Sequence, residues 1–79
     1  MQKGDTTMDD FAKRLQQLRE SQKPIKSRVV VSQLCGLPSD AVRRYERGES
    51  IPTIESLIRL ANYYEVSLDY LTGRENKKI

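Results

Sequence analysis

The sequence predicts an all-α fold, a compact domain of five helices with a helix-turn-helix at the second and third. Apolar residues recur mostly at helical spacing, and glycines and prolines divide the chain into short segments. No two strand-like runs are present that could pair into a sheet. A chain of 79 residues forms one small domain that buries about 60% of its unfolded surface. We therefore expect a single core built from short helices.

The first and fourth helices have the clearest periodicity. Phe11, Leu15 and Leu18 follow one another at intervals of four and three residues, which predicts a helix over residues 8–22. Thr53 is a candidate N-cap for the fourth helix. The predicted apolar face of that helix consists of Ile54, Leu57, Ile58, Leu60, Ala61 and Tyr64.

The second helix is ambiguous at the level of local propensity. The three successive β-branched residues Val29 to Val31 suit a strand as well as a helix. We favour a helix over residues 28–35 because the chain offers no partner strand and because Ser27 can cap a helix. Its predicted buried face spans about 140° at about 100° per residue and consists of Val30, Val31, Leu34 and Cys35.

A glycine turn leads into the third helix. Gly36 permits a tight turn, Pro38 is expected to open the helix, and Gly48 to end it near Arg47. Val42 and Tyr45 face inward on this helix, with Ala41 at the edge of that face. The outward face is polar and basic and consists of Ser39, Asp40, Arg43, Arg44 and Arg47. Two short helices joined by a glycine turn have the form of a helix-turn-helix.

The ends of the chain are expected to be irregular. Residues 67–71 predict a short fifth helix that Gly73 ends. We expect residues 1–7 to be a flexible N-terminus, residues 8–73 to be the folded domain and residues 74–79 to be a polar tail.

The composition argues against an enzyme and against a metal protein. The chain has no histidine and one cysteine, Cys35, so it lacks the parts of a histidine-based triad, a zinc site or a disulfide. The longest aliphatic run, Val29 to Val31, is far shorter than the roughly 20 residues of a membrane span. We expect no catalysis, no cofactor, no metal and no membrane association, and a soluble intracellular protein in which Cys35 packs in the core.

The positive charge is concentrated in the middle third of the chain. The net charge is +3. Residues 23–47 carry six bases and two acids, whereas residues 1–22 are neutral and residues 48–79 carry four bases and five acids. A basic patch is typical of proteins that bind nucleic acid, because phosphate contacts release counterions. On charge alone, a solvated charged face is the simpler interpretation.

Glu46 adjoins arginines in the sequence but points elsewhere on the helix. At about 100° per residue it lies on the flank of the apolar face of the third helix, and Arg19 lies on the corresponding flank of the first. A partly buried charge needs a partner, so we predict that Arg19 and Glu46 form an ion pair. The alternative is that both side chains are solvated.

Three stretches resemble the lambda-repressor-like helix-turn-helix family, also called the Xre or phage-repressor family. They are "FAKRLQQLRES" for the first helix, "SRVVVSQLCGLPSDAVRRYERGE" for the second and third, and "IPTIESLIRLANYYEVSLDYLTGR" for the last two. The middle stretch has Ser32 four residues before Gly36, where alanine is usual, and Glu46 two residues before Gly48. The resemblance covers about residues 9–74. It implies a five-helix domain whose third helix enters the DNA major groove.

The resemblance also implies roles for individual residues. The positions that match base-contacting residues, or lie beside them, are Ser39, Asp40, Arg43 and Arg44. The candidates for contact with DNA phosphates are Lys26, Arg28, Arg47, Ser50 and Thr53. Arg19 and Glu46 match the family's ion pair between helices. Asp40 has a second interpretation, because a carboxylate near a helix N-terminus complements the helix dipole.

The function implied by the resemblance is sequence-specific regulation of transcription. We expect a repressor that binds double-stranded DNA at an inverted repeat as a homodimer, in the cytoplasm of a bacterial cell at the nucleoid. Two alternatives stay open at this point. One is an antitoxin of the same fold, whose partner is a protein toxin. The other is a protein-interaction module that no longer reads DNA.

Overall fold

The computed structural model describes the backbone of residues 6–75 and the side chains of residues 10–75. Within this range the chain forms helices and no strand, as predicted. No helix in the described part is long and apolar enough to span a membrane. The helices are α1 (Thr6–Glu20), α2 (Arg28–Leu34), α3 (Ala41–Glu46), α4 (Ile54–Tyr64) and α5 (Leu68–Leu71).

Two helices begin at positions that differ from the prediction. α1 begins at Thr6, so the segment 1–7 that was expected to be irregular overlaps the helix, while residues 1–5 lie outside the described part. α3 begins at Ala41 rather than at Pro38. The Ala41 N–H donates to the carbonyl oxygen of Pro38 at 2.9 Å, which is the three-residue spacing of a tight turn and not that of an α-helix.

One apolar core joins the five helices. The ring of Phe11 in α1 lies 5.8 Å from the ring of Tyr45 in α3, in the tilted arrangement that aromatic pairs favour. Cys35 packs in this core as predicted, and burial raises the pKa of its thiol. The buried apolar residues are Phe11, Leu15, Leu18, Val31, Cys35, Ala41, Val42, Tyr45, Leu60, Ala61, Tyr70 and Leu71.

The buried face of α2 is rotated relative to the predicted one. Val31 and Cys35 are buried as predicted, but Val30 and Leu34 are exposed. Ser32 is fully buried in their place. The prediction was wrong here because it assigned burial by apolarity alone, whereas a serine can be buried when both its donor and its acceptor functions are satisfied.

The face of α4 also differs in part from the prediction. Leu60 and Ala61 are buried, but Ile54 and Ile58 at the outer edge of the predicted face are exposed. The N-terminus of α4 is as predicted, because the hydroxyl oxygen of Thr53 accepts a hydrogen bond from the backbone N–H of Ser56 at 3.1 Å.

The turn between α2 and α3 depends on glycine. Gly36 has a φ of 73°, in the left-handed region. The next residue, Leu37, donates its N–H to the carbonyl oxygen of Ser32 at 2.9 Å, which completes a Schellman motif at the end of α2. A Cβ atom at Gly36 would lie 2.6 Å from a terminal nitrogen of Arg59. The close approach and the backbone angle both favour glycine at this position.

Candidate nucleic-acid interface

The ion pair between Arg19 and Glu46 fixes α3 against α1. Arg19 Nε donates to Glu46 Oε2 at 2.7 Å, and Arg19 Nη2 donates to Glu46 Oε1 at 3.0 Å. A third donor, Arg19 Nη1, binds the carbonyl oxygen of Lys26 at 3.2 Å. The hydrogen bond to Glu46 raises the pKa of Arg19. The pair predicted from the sequence is therefore present, and it also holds the connection between α1 and α2.

The first turn of α3 is capped by a residue of α2. The Ser32 hydroxyl accepts a hydrogen bond from the backbone N–H of Val42 at 3.0 Å and donates to the carbonyl oxygen of Arg28 at 2.9 Å. Asp40, at the N-cap position of α3, makes no side-chain capping bond. The cap that a helix usually finds in its own sequence is supplied here across the turn.

The outward face of α3 presents cations to solvent. Arg43 and Arg44 are exposed, on the side of the helix away from the buried Val42 and Tyr45. Among the described residues, Arg43 makes no ion pair and no side-chain hydrogen bond. The helix therefore carries at least one arginine that no described neighbour holds.

Two other arginines of this region have acidic neighbours. Arg44 Nη1 lies 3.6 Å from Asp40 Oδ2 one helical turn away, and both side chains are about half exposed. Arg47 Nε donates to Glu49 Oε2 at 2.7 Å. The acids reduce the net positive charge of the face, and the shorter contact holds Arg47 more firmly than the longer one holds Arg44.

A glycine at the end of α3 directs the chain back across the exposed face. Gly48 has a φ of 73°, and its N–H donates to the carbonyl oxygen of Tyr45 at 3.1 Å. The N–H of Glu49 donates to the carbonyl oxygen of Arg44 at 2.9 Å. These two bonds form a second Schellman motif, which fixes the backbone of the loop that leads to α4.

The loop and α3 enclose an open groove of about 230 Å³. The groove brings together Asp40 and Arg44, which were predicted to contact bases, with Ser50 and Thr53, which were predicted to contact phosphates. Its walls consist of Pro38, Asp40, Ala41, Arg44, Tyr45, Ser50, Ile51 and Thr53. The hydroxyl groups of Ser50 and Thr53, the guanidinium of Arg44 and the carboxylate of Asp40 thus line one concave surface.

The remaining predicted residues lie outside this groove. Lys26 and Arg28 sit at the start of α2, where the carbonyl oxygen of Lys26 binds Arg19. Arg28 is exposed, and so is Ser39 in the turn before α3. None of these three residues lines the groove. A ligand would have to extend beyond the groove, as a duplex does, to contact all of them.

Two residues of this surface had no role in the sequence predictions. Ile51 lines the groove with 78% of its surface exposed, and Glu49 pairs with Arg47. For Ile51, the signal in the sequence was an isolated isoleucine between a serine and a proline. An acid two residues after an arginine, across a glycine, was the signal for Glu49.

Comparisons with known proteins give two matches and one negative result. The sequence model of a helix-turn-helix family matches residues 15–71. The chain is 35% identical over 49 residues to the cryptic phage CTXphi transcriptional repressor RstR of Vibrio cholerae serotype O1. That match spans 62% of this chain and 44% of the relative, so the chain corresponds to less than half of that repressor's length. No solved structure matches the chain at a significant level.

Proposed function

The chain belongs to the lambda-repressor-like helix-turn-helix family, and on that premise we propose that it is a sequence-specific DNA-binding regulator that represses transcription. The observation that supports this most strongly is the groove at α3, where Arg44 and Asp40 lie beside Ser50 and Thr53. A similar protein, RstR, is described as a transcriptional repressor. The regulator acts by occupying its site, without catalysis, at the nucleoid in the bacterial cytoplasm.

Base recognition is assigned to the outward face of α3. Arg43 and Arg44 each carry a guanidinium that can bind O6 and N7 of guanine with two hydrogen bonds, which contributes about 1 to 3 kcal/mol of discrimination. Asp40 can accept a hydrogen bond from N4 of cytosine. The Ser39 hydroxyl can either donate to an acceptor or accept from a donor on a base edge. The exposure of these side chains leaves them accessible to a major groove.

Phosphate contacts are assigned to both ends of the helix-turn-helix. Thr53 is the N-cap of α4 and Ser50 lies in the loop before it, near a helix N-terminus whose backbone N–H groups favour an anion. The cations assigned to the phosphate backbone are Lys26, Arg28 and Arg47. These contacts position the protein on the duplex and carry no sequence information of their own.

A homodimer is the proposed binding form. Ile54 and Ile58 lie one turn apart on α4 and are 65% and 43% exposed. Leu68 at the start of α5 is exposed as well. Apolar residues on two neighbouring elements suit a two-fold interface in which each copy offers the same patch. Such a dimer would bind two half-sites about one helical turn apart.

The proposal predicts a salt-dependent affinity to which Arg28 contributes. The measurement is the Kd for a mixed-sequence duplex of about 20 base pairs, from about 50 to 200 mM salt, by fluorescence anisotropy. Removing one phosphate contact from each subunit in Arg28→Ala should reduce the steepness of log K against log salt by about 1 per bound subunit.

Lys13→Ala is the matched control for this experiment. Lys13 is exposed on the side of α1 opposite Phe11 and therefore faces away from α3. Its removal should leave the steepness unchanged. A wild-type protein that does not bind the duplex at about 50 mM salt contradicts the proposed function. Equal effects of the two substitutions contradict the role assigned to Arg28.

A further inference from the structure

We propose that Glu49 limits non-specific DNA binding by competing, within the protein, with DNA phosphate for Arg47. The inference rests on the proposed function and concerns the regulation of the same surface. Its structural basis is the contact of 2.7 Å between Arg47 Nε and Glu49 Oε2. The carboxylate at this distance occupies one of the five N–H donors of the guanidinium and offsets its positive charge, so a phosphate oxygen gains less from Arg47.

The backbone on both sides holds this pair in place. The N–H of Arg47 donates to the carbonyl oxygen of Arg43 at 3.1 Å, at the end of α3. The N–H of Glu49 donates to the carbonyl oxygen of Arg44 at 2.9 Å, and Gly48 between them has the left-handed φ that the turn requires. An exposed ion pair loses much of its energy to the ordering of two side chains. Here the turn has already fixed both backbones, so less ordering is needed.

The pair is also accessible to a ligand. The Arg47 side chain is 58% exposed and that of Glu49 is 43% exposed, so a phosphate can approach the guanidinium without any change of fold. A phosphate can bind Arg47 by displacing the carboxylate of Glu49. Otherwise Arg47 stays paired, and the phosphate approaches an Arg47–Glu49 pair that has no net charge. In either case the gain from Arg47 is smaller than that from an unpaired arginine such as Arg43.

The arginines around α3 therefore differ in their availability to DNA. Arg43 has no ion-pair partner among the described residues. Arg44 lies 3.6 Å from Asp40, which is too long for a hydrogen bond, and Arg47 is hydrogen-bonded to Glu49. Phosphate contacts supply the affinity that does not depend on DNA sequence. Because Arg47 is assigned to phosphate and has the shorter of the two ion pairs, its pairing reduces mainly this non-specific affinity.

A double-mutant cycle with Glu49→Gln and Arg47→Ala tests the inference. Glutamine keeps the shape of the side chain and removes its charge, which frees Arg47. At about 50 mM salt, Glu49→Gln should raise the affinity for a mixed-sequence duplex of about 20 base pairs roughly 10-fold and steepen the salt dependence by about 1 per bound subunit. Arg47→Ala should lower the affinity by a smaller factor in the wild-type background than in the Glu49→Gln background, where it should abolish the gain.

Glu65→Gln separates competition from a general change in charge. Glu65 is an exposed acid at the far end of α4, about 18 Å along that helix from Thr53. The inference is overturned if Glu65→Gln raises the affinity as much as Glu49→Gln. It is also overturned if Arg47→Ala lowers the affinity by the same factor in both backgrounds. A wild-type protein and variants that all fail to bind the duplex would overturn the proposed function together with this inference, whereas binding with an additive cycle would overturn this inference alone.

Discussion

Glu46 and the arginines near it in the sequence have different roles because they point in different directions. The Glu46 side chain is 3% exposed and is held by two donors of Arg19, which is itself 13% exposed. Arg43 and Arg44, which are three and two residues before Glu46, face solvent. A carboxylate that is nearly buried contributes to the orientation of the helix and is not available to a ligand.

Loss of Glu46 should destabilise the fold far more than loss of an exposed acid. Glu46→Ala leaves the Arg19 guanidinium largely buried without its carboxylate, and the free energy of unfolding should fall by about 3 kcal/mol. Glu55→Ala is the control, because it breaks an exposed pair with Arg59 and should change the free energy by less than about 1 kcal/mol. Denaturant unfolding at neutral pH measures both values. Equal losses in the two variants would contradict the structural role of Glu46.

At the scale of the elements, α2 and α3 behave as one unit. Ser32 joins them, because its hydroxyl accepts from the N–H of Val42 in α3 while it donates to the carbonyl oxygen of Arg28 in α2. Its carbonyl oxygen also accepts from the N–H of Leu37 in the turn. α3 has only six residues and would be marginal alone. Its position therefore depends on α2 and on the ion pair to α1.

Ser32→Ala should loosen the first turn of α3. The buried N–H of Val42 loses its acceptor, so the free energy of unfolding should fall by about 1 to 2 kcal/mol. Amide hydrogen exchange at Val42 should accelerate together with this loss. Ser39→Ala is the control, because Ser39 is exposed and its removal should change stability by no more than about 0.5 kcal/mol. Unchanged exchange at Val42 in Ser32→Ala would show that the hydroxyl does not support the helix.

The features of the helices that could be predicted are those that depend on neighbouring residues in the sequence or on the helical spacing of apolar residues. The five helices, the caps at Ser27 and Thr53, and the pairing of Arg19 with Glu46 are of this kind. The burial of Ser32 depends on partners that only the packed structure supplies.

The start of α3 and the partners of the exposed arginines were not predicted. α3 starts at Ala41 because residues 38–41 form a tight turn before the helix begins, closed by the hydrogen bond from the Ala41 N–H to the Pro38 carbonyl oxygen. The pairing of Arg47 with Glu49 follows from the geometry of the turn at Gly48, which residue types alone do not specify. The groove brings Asp40 and Arg44 at α3 together with Ser50 and Thr53 before α4. Which of these residues contact DNA depends also on the shape and sequence of the duplex.

At the scale of the whole molecule, the fold positions a basic and polar face at one surface. The domain measures 37 × 26 × 20 Å, and one helical turn of DNA is about 34 Å long. In the proposed two-fold dimer, the two α3 helices would enter successive turns of the major groove. Ile54 and Ile58 are exposed and are the apolar residues that we propose for the contact between the two copies.

Repeated selection of protein-bound duplexes from a random DNA pool at near-physiological salt, followed by sequencing, tests whether α3 reads DNA sequence. We expect enrichment of an inverted repeat with half-sites centred about one helical turn apart. Arg44→Ala should lose the preference at one base pair of each half-site while the rest of the repeat is retained. If no sequence is enriched while weak, salt-sensitive binding persists, the arginine face is only electrostatic and the claim that α3 reads DNA sequence is wrong.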